Sequence, residues 1–152
     1  MLGGPGNDVN LWAPGDGSEA FIGGPGFDAI IFGATDRETV LDPKTGVRLP
    51  TLTFGVAGYP QGIPTANVSG LAQHCTVERG GKSRYDYLVR FRAAAGNIVV
   101  TVRVSGVEQV FCPSQESAGI AFADLTLATP VFLDVLQQEV EILNPVVGAM
   151  IR

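Results

Sequence analysis

The sequence predicts a mainly β chain: a short parallel β-roll of stacked glycine turns at the N-terminus, then an antiparallel β-sandwich or barrel-like domain with a short C-terminal helix. Three observations predict it. Twenty glycines and ten prolines punctuate 152 residues, which suits many turns and short strands rather than long helices. The chain is 45% hydrophobic against 16% charged, enough for one proper core and too apolar for disorder. A glycine-rich turn returns near the start, and from Leu49 onward short apolar runs are bounded by Gly, Pro and Asn.

The repeat comes first in the chain. Gly3-Gly4-Pro5-Gly6-Asn7-Asp8 returns as Gly23-Gly24-Pro25-Gly26-Phe27-Asp28, five positions of six after twenty residues. Between them Pro14-Gly15-Asp16-Gly17-Ser18-Glu19 keeps glycine second and fourth and a carboxylate sixth, a degenerate third copy. Short apolar pieces follow: Val9 to Trp12, Ala20 to Ile22 and Ala29 to Phe32. Each has the length of a minimal strand, so the unit is turn plus strand, which must stack on its neighbours to bury a face. A phosphate-binding glycine loop needs a strand before it and a helix starting at the glycines. Neither is expected here.

The pattern Gly-Gly-x-Gly-x-Asp followed by an apolar residue resembles the RTX (hemolysin-type, glycine-rich nonapeptide) repeat of secreted bacterial proteins, over about residues 3–33. Asn10, where an apolar residue is usual, and two extra residues near Trp12-Ala13 depart from that pattern. The resemblance implies Ca²⁺ held between turns on the same edge, that is between 3–8 and 23–28. Calcium wants six to eight oxygens, and glycine turns expose carbonyls while aspartate adds charge. Carried over, the ligands are Gly3, Pro5 and Asp8 from one turn with Gly24, Gly26 and Asp28 from the other. Asp16 and Glu19, on the opposite edge, are weaker metal candidates. The family also implies an extracellular, bacterial protein. The expected organisation is repeats over 1–34, a linker over 35–48 and the β-domain over 49–152.

In the body, strands are expected near 50–56, 65–69, 73–79, 85–92, 97–105, 107–112, 120–126 and 131–136. The clearest unit is a hairpin whose core faces carry Tyr85, Tyr87, Val89 and Phe91, and Ile98, Val100, Val102 and Val104. Its other face is wet. Six of the ten basic residues fall between 79 and 103, so Arg90, Arg92 and Arg103 offer a face to a glycan or protein ligand; the plainer reading is a solvated, charge-paired strand face. Residues 134–143 are weakly amphipathic, and Asn144-Pro145 reads as an N-cap followed by proline at the first position of a helix over about 145–151.

A net charge of −5 argues against nucleic acid as a general partner and favours cations. No run approaches the roughly 18 apolar residues of a membrane span. Residues 1–10 carry no signal peptide, which reads as a trimmed N-terminus. Cys75 and Cys112 are two free thiols or one disulfide; an extracellular location favours the disulfide, between two strands across the core, contributing about 3–4 kcal/mol. His74 is the sole histidine, and its neighbour Cys75 points to the opposite face of a strand, so no Cys–His pair forms and no enzyme is expected. Asn67-Val68-Ser69 is a glycosylation sequon that a bacterial origin leaves as a surface turn. An apolar end at Ile30, Ile31 and Phe32 predicts pairing of the chain with itself. The alternative function is an extracellular adhesion or carbohydrate/protein-binding β-domain, with the repeat as spacer or dimer contact.

Overall fold

The computed structural model describes residues 1–12, 16–53, 74–92, 95–114 and 120–151; the strand expected near 65–69 and Asn67-Val68-Ser69 lie outside them. The three short strands of the repeat are β1 (Val9–Trp12), β2 (Ala20–Ile22) and β3 (Ala29–Phe32). A hairpin of β4 (Ala34–Leu41) and β5 (Arg48–Thr53) follows, then β6 (His74–Arg79), β7 (Tyr87–Arg92) and β8 (Ile98–Ser105). The chain continues through β9 (Gln109–Pro113), β10 (Ile120–Asp124) and β11 (Leu133–Val135) into α1 (Gln137–Leu143) and α2 (Pro145–Met150). The mainly β expectation and the short C-terminal helix both hold.

The strands lie in two larger sheets, of order β1-β3-β9-β10-β11 and β2-β8-β7-β6, with β4-β5 as a separate pair. β1 pairs parallel with β3, Val9 opposite Ala29, so the twenty-residue offset of the sequence repeat has become strand register. β3 then pairs parallel with β9, Ala29 opposite Gln109, and β2 pairs parallel with β8, Ile22 opposite Ser105. Leu2 bridges Ile22 in the same sense. Leu2, Ile22 and Ser105 thus form one column, Val9, Ala29 and Gln109 another, and the turns 3–8, 23–28 and 106–108 connect them.

This pairing changes three expectations. The boundary expected at residue 34 does not separate two sheets, because β2 and β3 hydrogen-bond directly to β8 and β9. The stretch expected as a linker over 35–48 carries most of β4 and its turn, where Asp42 Oδ1 accepts from Lys44 N and Oδ2 from the Thr45 hydroxyl. The end expected at Ile30, Ile31 and Phe32 is an interior: all three are fully buried, since β3 lies between β1 and β9. Self-association through that end has no surface to use.

Both larger sheets share one core. Ile30, Phe32, Val110 and Cys112 face Phe21, Val89, Phe91, Val102 and Val104 across it. Trp12, Phe32 and Phe91 stack with centroids 5.3–5.8 Å apart, within the favourable range for aromatic pairs. A second cluster of Ala29, Ile31, Phe111, Leu52, Val140 and Val147 packs the other face of β3 and β9 against β5 and the helices. Sandwiched on both faces, β3 has no polar position, as Ala29-Ile30-Ile31-Phe32 shows. In the hairpin β7–β8, Tyr87, Val89, Phe91, Val100, Val102 and Val104 are buried as expected. Tyr85 stands outside β7, in the preceding turn, and Ile98 is 47% exposed at the start of β8. Cys75 on β6 and Cys112 on β9 form the expected disulfide, Cα–Cα 6.1 Å, tying the two sheets together.

Candidate metal site

The turns 3–8 and 23–28 stack one on the other in register. Gly3 N donates to Ile22 O, Gly4 N to Gly23 O and Gly6 N to Pro25 O, each at 2.9 Å. Ala29 N donates to Asp8 O at 2.9 Å where the turns run into their strands. Side chains follow the same ladder: Asn7 Oδ1 accepts from Phe27 N at 2.9 Å, and Asp28 Oδ1 accepts from Asp8 N at 2.8 Å.

The glycine pattern has a steric cause. Gly24 and Gly26 hold φ of 104° and 144°, matching 102° and 124° at Gly4 and Gly6, a region that side chains rarely enter. A Cβ on Gly24 would lie 2.7 Å from Gly4 O, and one on Gly26 would fall on Gly6 O. Two consecutive turns can approach this closely only with glycine at the second and fourth positions.

Carboxylates line the stack. Asp28 is fully buried and Asp8 half-buried, and Oδ2 of each is a buried oxygen with no hydrogen-bond partner. Leaving such an acceptor unsatisfied costs about 1–3 kcal/mol, and more when it is charged. Asp8 Oδ2 and Gly23 O border one point, the vacant Cβ position of Gly3, at 2.7 and 2.6 Å. That oxygen-lined cradle exists only because residue 3 has no side chain.

Of the ligands expected from the resemblance, the structure brings Asp8 and Asp28 into adjacent turns. The carbonyls differ. Those shown entering the gap are Gly4 and Gly6 from the first turn, against the backbone of Gly24 and Gly26, and Gly23 and Pro25 from the second. Gly3 and Pro5 are the repeat equivalents of Gly23 and Pro25, so the same translation turns their carbonyls away from the gap; Gly24 and Gly26 correspondingly face the next strand level. The order of stacking, which spacing does not contain, sets this reversal. Among the described residues no three side chains of His, Cys, Asp or Glu come together as a metal-holding group. The oxygens at the gap are backbone carbonyls and the carboxylates of Asp8 and Asp28, hard donors of the kind calcium takes and zinc does not prefer.

On the opposite edge, Glu19 O accepts from Arg103 N and Ser18 Oγ from Thr101 N, so the turn carrying Asp16 and Glu19 rests on β8 rather than on another glycine turn. The arginine face meets partners within the chain, although Arg90 Nε is buried without a hydrogen-bond partner. Arg90 pairs with Glu78, Arg92 donates to Thr76 Oγ1 and Gly96 O at 2.8 Å, and Arg103 lies over the Tyr85 ring.

A cleft of about 460 Å³ beside the disulfide is lined by His74, Ser114 and Asp134, a grouping the sequence reading did not single out. Ser114 Oγ donates to Asp134 Oδ1 at 2.5 Å. Burial, then the nearby Arg92 charge, lowers the His74 pKa.

No family model matches the chain, and no curated protein and no solved structure matches it either.

Proposed function

We propose that this chain is a calcium-binding module of a secreted bacterial protein of the RTX kind, in which Ca²⁺ between the glycine turns orders the repeats outside the cell. The observation that carries the reading is the in-register stack of two Gly-Gly-Pro-Gly-x-Asp turns, in which Asp8 Oδ2 is buried without a partner near Gly23 O and Asp28 Oδ1 reaches the same level. A divalent cation supplies the positive charge that Asp8 Oδ2 lacks. Asp8 and Asp28 hold it by charge, Gly4, Gly6, Gly23 and Pro25 by carbonyl oxygen, and water completes the shell. The Cys75–Cys112 disulfide supports the extracellular assignment, since such bonds persist in oxidising compartments. No helix among the described residues is long and apolar enough to cross a membrane.

Because the ion binds the stacked turns and not the unfolded chain, it adds stability in proportion to its excess over Kd. A hundredfold excess adds about 2.7 kcal/mol. The test is thermal melting with and without millimolar calcium: the wild-type midpoint should rise by about 5–10 °C, at roughly 2–4 °C per kcal/mol for a chain of this size. Asp8→Ala and Asp28→Ala should lose most of that rise while keeping the β-sheet circular dichroism spectrum. A midpoint indifferent to calcium in all three proteins would remove the reading.

A further inference from the structure

We propose a second calcium site one level below the first, between turn 23–28 and the turn 106–108 contributed by the body of the chain; it rests on the reading above for its ion and has its own ligands. The cradle at Gly3 is reproduced there atom for atom. A Cβ on Gly23 would lie 2.5 Å from Asp28 Oδ2 and would collide with Gly106 O, as one on Gly3 meets Asp8 Oδ2 and Gly23 O. Gly23 N donates to Ser105 O at 2.9 Å, as Gly3 N does to Ile22 O. Asp28 N donates to Glu108 Oε2 at 2.7 Å, as Asp8 N donates to Asp28 Oδ1. Gly106, with φ of 60°, therefore plays the part of Gly23, and Glu108 that of Asp28. Gly24 O also faces this level, 3.5 Å from where a Cβ of Gly106 would stand.

The group that calls for a ligand is Asp28 itself. Its residue is wholly buried, its Oδ1 is taken by Asp8 N, and its Oδ2 has no hydrogen-bond partner. Beside that oxygen lie the Gly106 carbonyl and, one residue pair away, the Glu108 carboxylate. A buried, unpartnered carboxylate oxygen, with a carbonyl and a second carboxylate on the neighbouring turn, suits a hard divalent cation. Turn 106–108 has three residues where 23–28 has six, so this site takes more of its shell from water.

The two sites are separated by isothermal calcium titration of the whole chain, alongside Glu108→Gln and Asp8→Asn. Glutamine keeps an oxygen to accept from Asp28 N and removes only the charge. Two ions in wild type and one in each variant is the expected result. Asp8→Asn tests the second site with Glu108 intact: if that variant binds none, the second site is overturned. One ion in wild type, kept in Glu108→Gln and lost in Asp8→Asn, overturns this proposal and leaves the first site standing. One ion kept in Asp8→Asn and lost in Glu108→Gln supports it and removes the first site. No ion in wild type overturns both.

Discussion

At Gly26 the backbone sits at φ 144° and the missing side chain would land on Gly6 O, while at Gly6 the φ is 124° but nothing lies within 4 Å of its Cβ position. The pair separates two effects of glycine. Gly6→Ala should cost only backbone strain, on the order of 1 kcal/mol, whereas Gly26→Ala adds a collision with a hydrogen-bonded neighbour turn and should cost about 3 kcal/mol. Urea unfolding measures both, and equal losses would mean that the turns do not stack as described. The glycines were legible in sequence as a repeat, yet nothing in their spacing told which carbonyls enter the gap. His74 adds a pH prediction. Its lowered pKa means that the fold favours neutral imidazole, so as pH falls through the unfolded value near about 6.5 the unfolded chain takes up the proton first and stability drops. Melting should therefore be lower at pH 5.5 than at pH 7.5, by a difference that shrinks in His74→Asn; an unchanged difference would exclude His74 as its source.

Among the elements, the helix end was the most legible. Asn144 Oδ1 accepts from Val146 N and Val147 N with Pro145 at the first helical position, as the dipeptide predicted, but its Nδ2 also donates to Gln109 Oε1 on β9, a tie that no local pattern encodes. Asn144→Ala should cost about 2–3 kcal/mol, more than an isolated cap, because it also leaves a buried glutamine short of a partner. A loss under about 1 kcal/mol in chemical denaturation would show the tie to be idle. Strands β6 to β8 fell near their expected places because alternation marks a strand with one wet face. The apolar run of β3 was legible as a strand and misread as an open end, since a continuous run does not say what covers its second face. The disulfide between β6 and β9 closes a 37-residue separation, so Cys75→Ala with Cys112→Ala should lower unfolding free energy by about 3–4 kcal/mol. A shift below about 1 kcal/mol would mean that the two sheets are held as well without it.

Across the whole molecule, the repeat and the body are one structure: β2 lies on β8 and β3 on β9, and the turn 106–108 continues the column begun by the glycine turns. Sequence could not reveal this, because Gly106-Val107-Glu108 shares only a glycine and an acid with the repeat and lies some eighty residues beyond it. Metal bound at the turns would therefore be felt in the core around Phe32, Val110 and the disulfide rather than in a detached appendage. The most direct measurement is a crystal structure grown in millimolar calcium, with anomalous scattering used to find the ion. The account predicts density between turns 3–8 and 23–28, within about 2.3–2.6 Å of Asp8 Oδ2, of Asp28 Oδ1 and of carbonyl oxygens. The two turns found apart, or stacked with no ion under saturating calcium, would contradict it.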